Sequence, residues 1–299
     1  MSDAINADTT TAEGLNRRSM FSTIGAGAAS AVAIGALAAG GLAVTSAPAE
    51  AQAIGDNEIL NFALMLEYLE AEFYLRAFTG QGLAPGDVTG LGTQGTVTGG
   101  SQVPFKSQAI QSYAQRLAVD EVTHVRFLRA ALGSAAYSEP NIDFSKSFTT
   151  LAVAAGLIAA GQTFNPFADD VSFLLGAFVF EDVGVTAYNG AATLISSKTY
   201  LQAAASILAI EAYHAGSIRT LLANIGAGVA ANAISALRGQ LGSGMEQGIL
   251  IPGLSYNAVA ADVESLAFRR TTAQVLPIVY GQPTGTGLFF PNGLNGVIR

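Results

Sequence analysis

Four long stretches of the chain, roughly 56–79, 106–133, 169–197 and 199–226, place apolar residues at intervals of three and four. None contains proline and each runs well beyond strand length, so each predicts a helix. Between the first two lies Gly80 to Pro104, which carries eight glycines among Thr and Gln and predicts a loop. The connection from Gly133 to Pro166 is long and contains Leu151–Ala160, a candidate short helix. Beyond Gly226 the pattern weakens: Ala230–Leu241 and Ala258–Phe268 predict short helices, and Thr271–Tyr280 is a further apolar run. A tail rich in Gly and Pro then contains Phe289-Phe290-Pro291-Asn292-Gly293. No heptads, phosphate-binding glycine loop or solenoid repeat is present. The expected fold class is all-α: a four-helix bundle over 54–227, with a long crossover and a C-terminal extension over 228–299 that packs on it.

Residues 1–53 read as an address rather than as part of the fold. Arg17-Arg18 precedes a Gly/Ala-rich apolar segment, Ile24 to Val44, and then Ala47-Pro48-Ala49-Glu50-Ala51-Gln52-Ala53, which offers small-x-small cleavage options. A twin arginine ahead of a modestly apolar core resembles a Tat export signal. A retained transmembrane anchor of about 20 residues is the other reading that length allows, although Gly and Ala insert more weakly than Leu. The expectation is a periplasmic or extracellular protein with no stable membrane anchor after cleavage.

Composition narrows the chemistry. Half of the 299 residues are hydrophobic and 12% are charged, which supplies a sizeable core and excludes a disordered chain. Lys and Arg number 14 against 22 Asp and Glu, so no basic excess points to a nucleic-acid partner. Cysteine is absent, which excludes disulfides, thiolate catalysis and sulfur-ligated metal. Histidine occurs only twice.

At about 100° per residue, each helix aims one glutamate along its apolar stripe. In the first, Glu67 shares a face with Leu60, Ala63, Leu64, Ala71, Tyr74 and Phe78, while Glu58, Asn61, Glu72 and Arg76 form what should be a solvated face. Glu70 lies at the edge of the stripe and is the fallback for Glu67, with Glu72 the least favoured. Glu121 follows the same rule in the second helix, Glu181 in the third and Glu211 in the fourth. The third helix carries Asp182 as its only other charge between Val171 and Ser197 and should be the most buried. His124 and His214 each stand three residues after an inward glutamate.

A lone inward histidine is ordinarily a hydrogen-bonded core residue. Here both histidines complete Glu-x-x-His, and ten glutamates among residues 54–299 make that coincidence about one in 600 under independent placement. The spacing offers one oxygen and one nitrogen donor from consecutive turns, and two further glutamates can complete or bridge a pair of metals. Four carboxylates offset two divalent cations, which removes the cost of burying them. All-oxygen and nitrogen ligation suits Fe first, then Mn, with Zn allowed on affinity. The candidate ligands are therefore Glu67, Glu121, His124, Glu181, Glu211 and His214. Tyr74, Tyr188, Glu70 and Asp182 are expected beside them, the tyrosines as hydrogen-bond donors, electron relays or simply core aromatics.

The chain shows two related halves, Glu-x6-Tyr followed by Glu-x-x-His, twice. Asn61 to Tyr74 (NFALMLEYLEAEFY) and Phe173 to Tyr188 (FLLGAFVFEDVGVTAY) resemble the ferritin-like proteins that include desiccation-related proteins of plants and bacteria. Thr271–Tyr280 and Phe289–Gly296 are similar to that family's C-terminal region. The resemblance implies a ferritin-like bundle and two metal ions reacting with O2 or peroxide in oxidative or desiccation stress. A manganese catalase-like activity is one variant of that expectation. The alternative is a non-enzymatic stress or structural protein, its metal sequestered or absent, in which the apolar third helix and the extension mediate assembly into a homo-oligomer. A storage cage is disfavoured by the residues beyond the fourth helix.

Overall fold

The computed structural model describes residues 54–283 and 285–299; the twin-arginine segment and its cleavage options lie outside these. The four long helices are α1 (Asp56–Thr79), α2 (Gln108–Leu132), α4 (Asp170–Ala191) and α5 (Lys198–Asn224), with the short α3 (Ser147–Ala154) in the crossover. Side chains fix where they begin. Ser107, Asp169 and Ser197 accept from Ile110 N, Ser172 N and Tyr200 N at the starts of α2, α4 and α5. Asp56, in the first turn of α1, also accepts from the amides of Ser196 and Ser197 at 2.7 and 2.8 Å, tying α1 to the start of α5. Gly80 ends α1 in the left-handed conformation that glycine adopts without penalty.

The bundle consists of two helix pairs, α1 with α2 and α4 with α5, joined through α1 and α4. This is the all-α four-helix arrangement expected from the periodicity. Every residue of α4 from Phe173 to Tyr188 is buried. Length and composition would let this helix cross a bilayer, but it serves as the bundle's central helix. Its apolar surface is therefore spent inside the chain, which corrects the expectation that it could mediate assembly.

The expected solvated face of α1 is also corrected. Asn61 and Glu72 are buried, because the segments that follow α1 and α2 cross over that side. Asn61 donates to Ala135 O and accepts from Tyr137 N, while Glu72 accepts from Arg76 Nε and Leu83 N. The two segments meet in a two-residue parallel pairing, β1 (Val97–Thr98) with β2 (Ile142–Asp143). The crossover helix begins four residues earlier than Leu151.

In the extension, α6 (Gly228–Leu241) and α7 (Thr272–Tyr280) pack on α4. No helix forms at Ala258–Phe268. Asp262 instead accepts from the amides of Glu264 and Leu266, a local side-chain bond that competes with helix, and Ser265 takes a φ of 61°. Phe289 closes one side of an aromatic cluster by packing edge-on against Phe148 and Phe180, which also adjoin Phe73.

Candidate metal centre

All six candidate ligands converge inside the bundle, and none is more than 8% exposed. Glu121 stands at the centre. Its Oε2 lies 3.0 Å from His124 Nδ1 and its Oε1 3.1 Å from His214 Nδ1, so one carboxylate faces both histidines. Glu67 Oε2 sits 3.3 Å from His124 Nδ1, and Glu181 Oε2 3.3 Å from His214 Nδ1. Glu211 Oε1 is 3.8 Å from His124 Nδ1. Donor atoms within 4.8 Å of one another form three overlapping groups: Glu67, Glu121, His124 and Glu211; Glu121, Glu181 and His214; and Glu70, Glu181 and Glu211. The choice between Glu67 and Glu70 thus dissolves, since both carboxylates reach the cluster from successive turns of α1.

Burial and crowding set the protonation. Burial opposes ionisation of Glu121, but the two histidines beside its oxygens outweigh it and hold its carboxyl well below the usual range. Burial pushes Glu67 up to about 7, and it pushes Glu70 and Glu211 well above the carboxylate range, where neighbouring carboxylates add to the effect. Burial also works against charge on the histidines, yet Glu67 and Glu181 overcome it and raise His124 and His214 to about 12.

The residues present fit a cation. Glu67 Oε2, Glu70 Oε2, Glu121 Oε1, Glu181 Oε2, both oxygens of Glu211 and His214 Nδ1 are buried without an aligned hydrogen-bond partner. Buried polar atoms are ordinarily satisfied, and seven orphans at one place need an explanation. No Lys or Arg among the described residues forms an ion pair with these carboxylates. A metal supplies the missing charge and takes the free lone pairs together.

The groups behind the donors are a mixture of expected and unexpected. Tyr74 OH donates to Glu181 Oε1 and Tyr188 OH to Glu67 Oε1, each crossing to the other half of the chain. Asp120 was not apparent from the sequence: its Oδ2 lies 3.1 Å from His214 Nε2 and 2.7 Å from Arg116 Nε. It sits on α2 and acts on α5, a relationship that only packing reveals. Asp182 corrects the expectation that it adjoins the ligands. One residue past Glu181, it turns about 100° away and binds Arg219 twice at 2.9 Å and Arg238 at 2.7 Å. Glu246 extends this buried network to Arg270 at 3.0 Å.

Comparison with known proteins agrees with this architecture. Residues 55–224 match the ferritin-like domain. The chain is 33% identical over 251 residues to the desiccation-related protein PCC13-62 of Craterostigma plantagineum, covering 74% of this chain and 76% of that protein. It is 28% identical over 267 residues to the ferritin-like catalase Nec2 of Nesocodon mauritianus, covering 81% of this chain and 84% of that one. With four helices that each deliver a carboxylate to one buried cluster, and a domain match across more than half its length, the chain belongs to the ferritin-like family.

Proposed function

We propose that this protein is an exported di-metal protein that consumes peroxide or reacts with O2, in oxidative or desiccation stress. The observation that carries the reading is Glu121, whose two oxygens face the two histidines and can link two metal positions. His124 and Glu67 would hold one ion, His214 and Glu181 the other, with Glu211 reaching the first group and the Glu70 side of the cluster. Fe fits this donor set best, then Mn, with Zn a redox-inert occupant. Such a pair, when bound, supplies the redox equivalents and Lewis acidity that peroxide or O2 chemistry requires.

The chain's own groups do the rest. Asp120, facing His214 Nε2, favours the tautomer that leaves Nδ1 free to ligate. Tyr74 and Tyr188 keep their protons, because burial and the adjacent glutamates push both hydroxyls well above their ordinary range. Each phenol therefore donates to a ligand carboxylate and orients it. The apolar residues around the cluster exclude bulk water and strengthen every charge interaction within it. One relative's name includes catalase, which favours peroxide as the small-molecule partner. The twin-arginine segment resembles a Tat signal and favours export after folding, to the periplasm or beyond.

Metal content after anaerobic loading of the full-length or processed chain with Fe(II) or Mn(II) tests this reading. Two equivalents per chain are expected, falling sharply in Glu121→Ala. Stopped-flow mixing with O2 or peroxide, followed by oxygen evolution, then separates oxidase from catalase-like turnover. Metal binding without turnover of either oxidant would leave a structural or sequestering role, and no binding would end the metal reading.

A further inference from the structure

The residue three positions after each inward glutamate faces the same cluster. In α2 and α5 it is His124 and His214; in α1 it is Glu70; in α4 it is Gly184. The two halves of the chain are otherwise matched through Glu67 with Glu181 and Tyr74 with Tyr188, so one half carries a carboxylate where the other has no side chain. That space is occupied. A Cβ built on Gly184 would fall inside the van der Waals envelope of Glu211 Oε2 and 2.9 Å from its Cδ. The other interior glycines of α4 face different neighbours, Gly176 the Phe73 ring and Gly190 the Arg270 carbonyl.

We propose that Gly184 is a positioning residue whose missing side chain seats the Glu211 carboxylate against α4. There Glu211 belongs to two donor groups, one ending at His124 and the other at Glu70 and Glu181. Both Glu211 oxygens lack hydrogen-bond partners, so besides the charge of His124 at 3.8 Å this seat is what restrains the carboxylate head. Glycine is disfavoured inside a helix relative to alanine, and its use here follows from the space Glu211 needs. The seat makes the halves inequivalent, with Glu70 facing Glu211 across the cluster instead of facing a symmetric partner. The consequence for metal rests on the two-metal reading; the steric relationship does not.

Two measurements test the proposal. Thermal melts of the metal-free protein compare wild type, Gly184→Ala, Glu211→Ala and the Gly184→Ala/Glu211→Ala double variant. Alanine at 184 is expected to lower Tm when Glu211 is present and to raise it when residue 211 is alanine. An equal loss of Tm in both backgrounds, or failure of both to fold, would place the obstacle elsewhere and overturn the proposal. Folding of the double variant but not of Gly184→Ala would support it. Calorimetric titration with Mn(II) then reads the site: Gly184→Ala should bind at least about tenfold more weakly, and Gly184→Ala/Glu211→Asp, one methylene shorter, should recover part of that loss. Wild-type Mn(II) affinity in Gly184→Ala would overturn the proposal. Absence of both Mn(II) and anaerobic Fe(II) binding in wild type would instead refute the two-metal reading, and the melts would still decide the seat.

Discussion

The hydroxyl of Tyr188 on α4 donates to Glu67 on α1, and the Tyr74 hydroxyl returns the bond from α1 to Glu181. Each tyrosine follows a glutamate by seven residues yet serves the glutamate of the opposite half. The pair therefore stitches α1 to α4 at the buried carboxylate–histidine cluster, where burial makes each bond costly to lose.

Replacing either tyrosine with phenylalanine leaves a buried carboxylate oxygen without its donor. Each substitution is expected to cost about 1–3 kcal/mol in the metal-free protein, measured by urea denaturation. The crossed geometry adds a directional signature. Tyr74→Phe should disturb the His214 end through Glu181, and Tyr188→Phe the His124 end through Glu67. Imidazole NMR resonances of the two histidines would read this, and a uniform response at both would contradict the pairing.

The histidines set a pH dependence. With both raised from 6.5 to about 12, they are protonated counter-ions of the glutamates in the metal-free protein. Their stabilisation is complete below about pH 6.5 and is lost as pH climbs towards 12. A metal at Nδ1 must displace those protons, so metal affinity should rise with pH and binding should release protons. Calorimetry in buffers of different ionisation enthalpy measures that release. Identical heats across buffers would exclude protonated histidines.

A second pH effect lies outside the candidate metal centre. Burial pushes Glu139 up to about 9, and repulsion from Glu72 adds to this against the opposing charge of Arg76. The folded state holds this proton more tightly than the unfolded chain does. Stability should therefore fall as pH rises from about 4.5 to 9. Glu139→Gln, neutral throughout, is expected to flatten that slope in melts run across the interval. An unchanged slope would assign the effect to other groups.

The Asp182 network clamps the extension onto the bundle. Arg219 also donates to the carbonyls of Gln247, Gly248 and Asn257, and Arg270 to that of Met245. Asp182→Ala strips two buried arginines of their shared counter-ion, and its expected cost is about 3–5 kcal/mol. Limited proteolysis should then cut within 242–268 while the metal stoichiometry stays at the wild-type value. Loss of metal without new cleavage would mean that Asp182 acts on the centre after all.

The four long helices, and the side of each that carries a glutamate, are legible in the sequence alone. Both are local consequences of a 3.6-residue period and of charges too sparse to confuse the stripes. The sequence also shows that both histidines stand one turn from a glutamate. Tertiary structure decided everything that depends on which helix faces which. Packing against α1 gave Glu70 a place beside Glu67, and packing of α2 against α5 made Asp120 a partner of His214. A rotation of one residue sent Asp182 to Arg219 and Arg238. Loops crossing α1 buried the Asn61 and Glu72 face that its wheel presents as solvated. Periodicity reports a residue's angle about its own helix axis; the neighbour at that angle is fixed only when the helices pack.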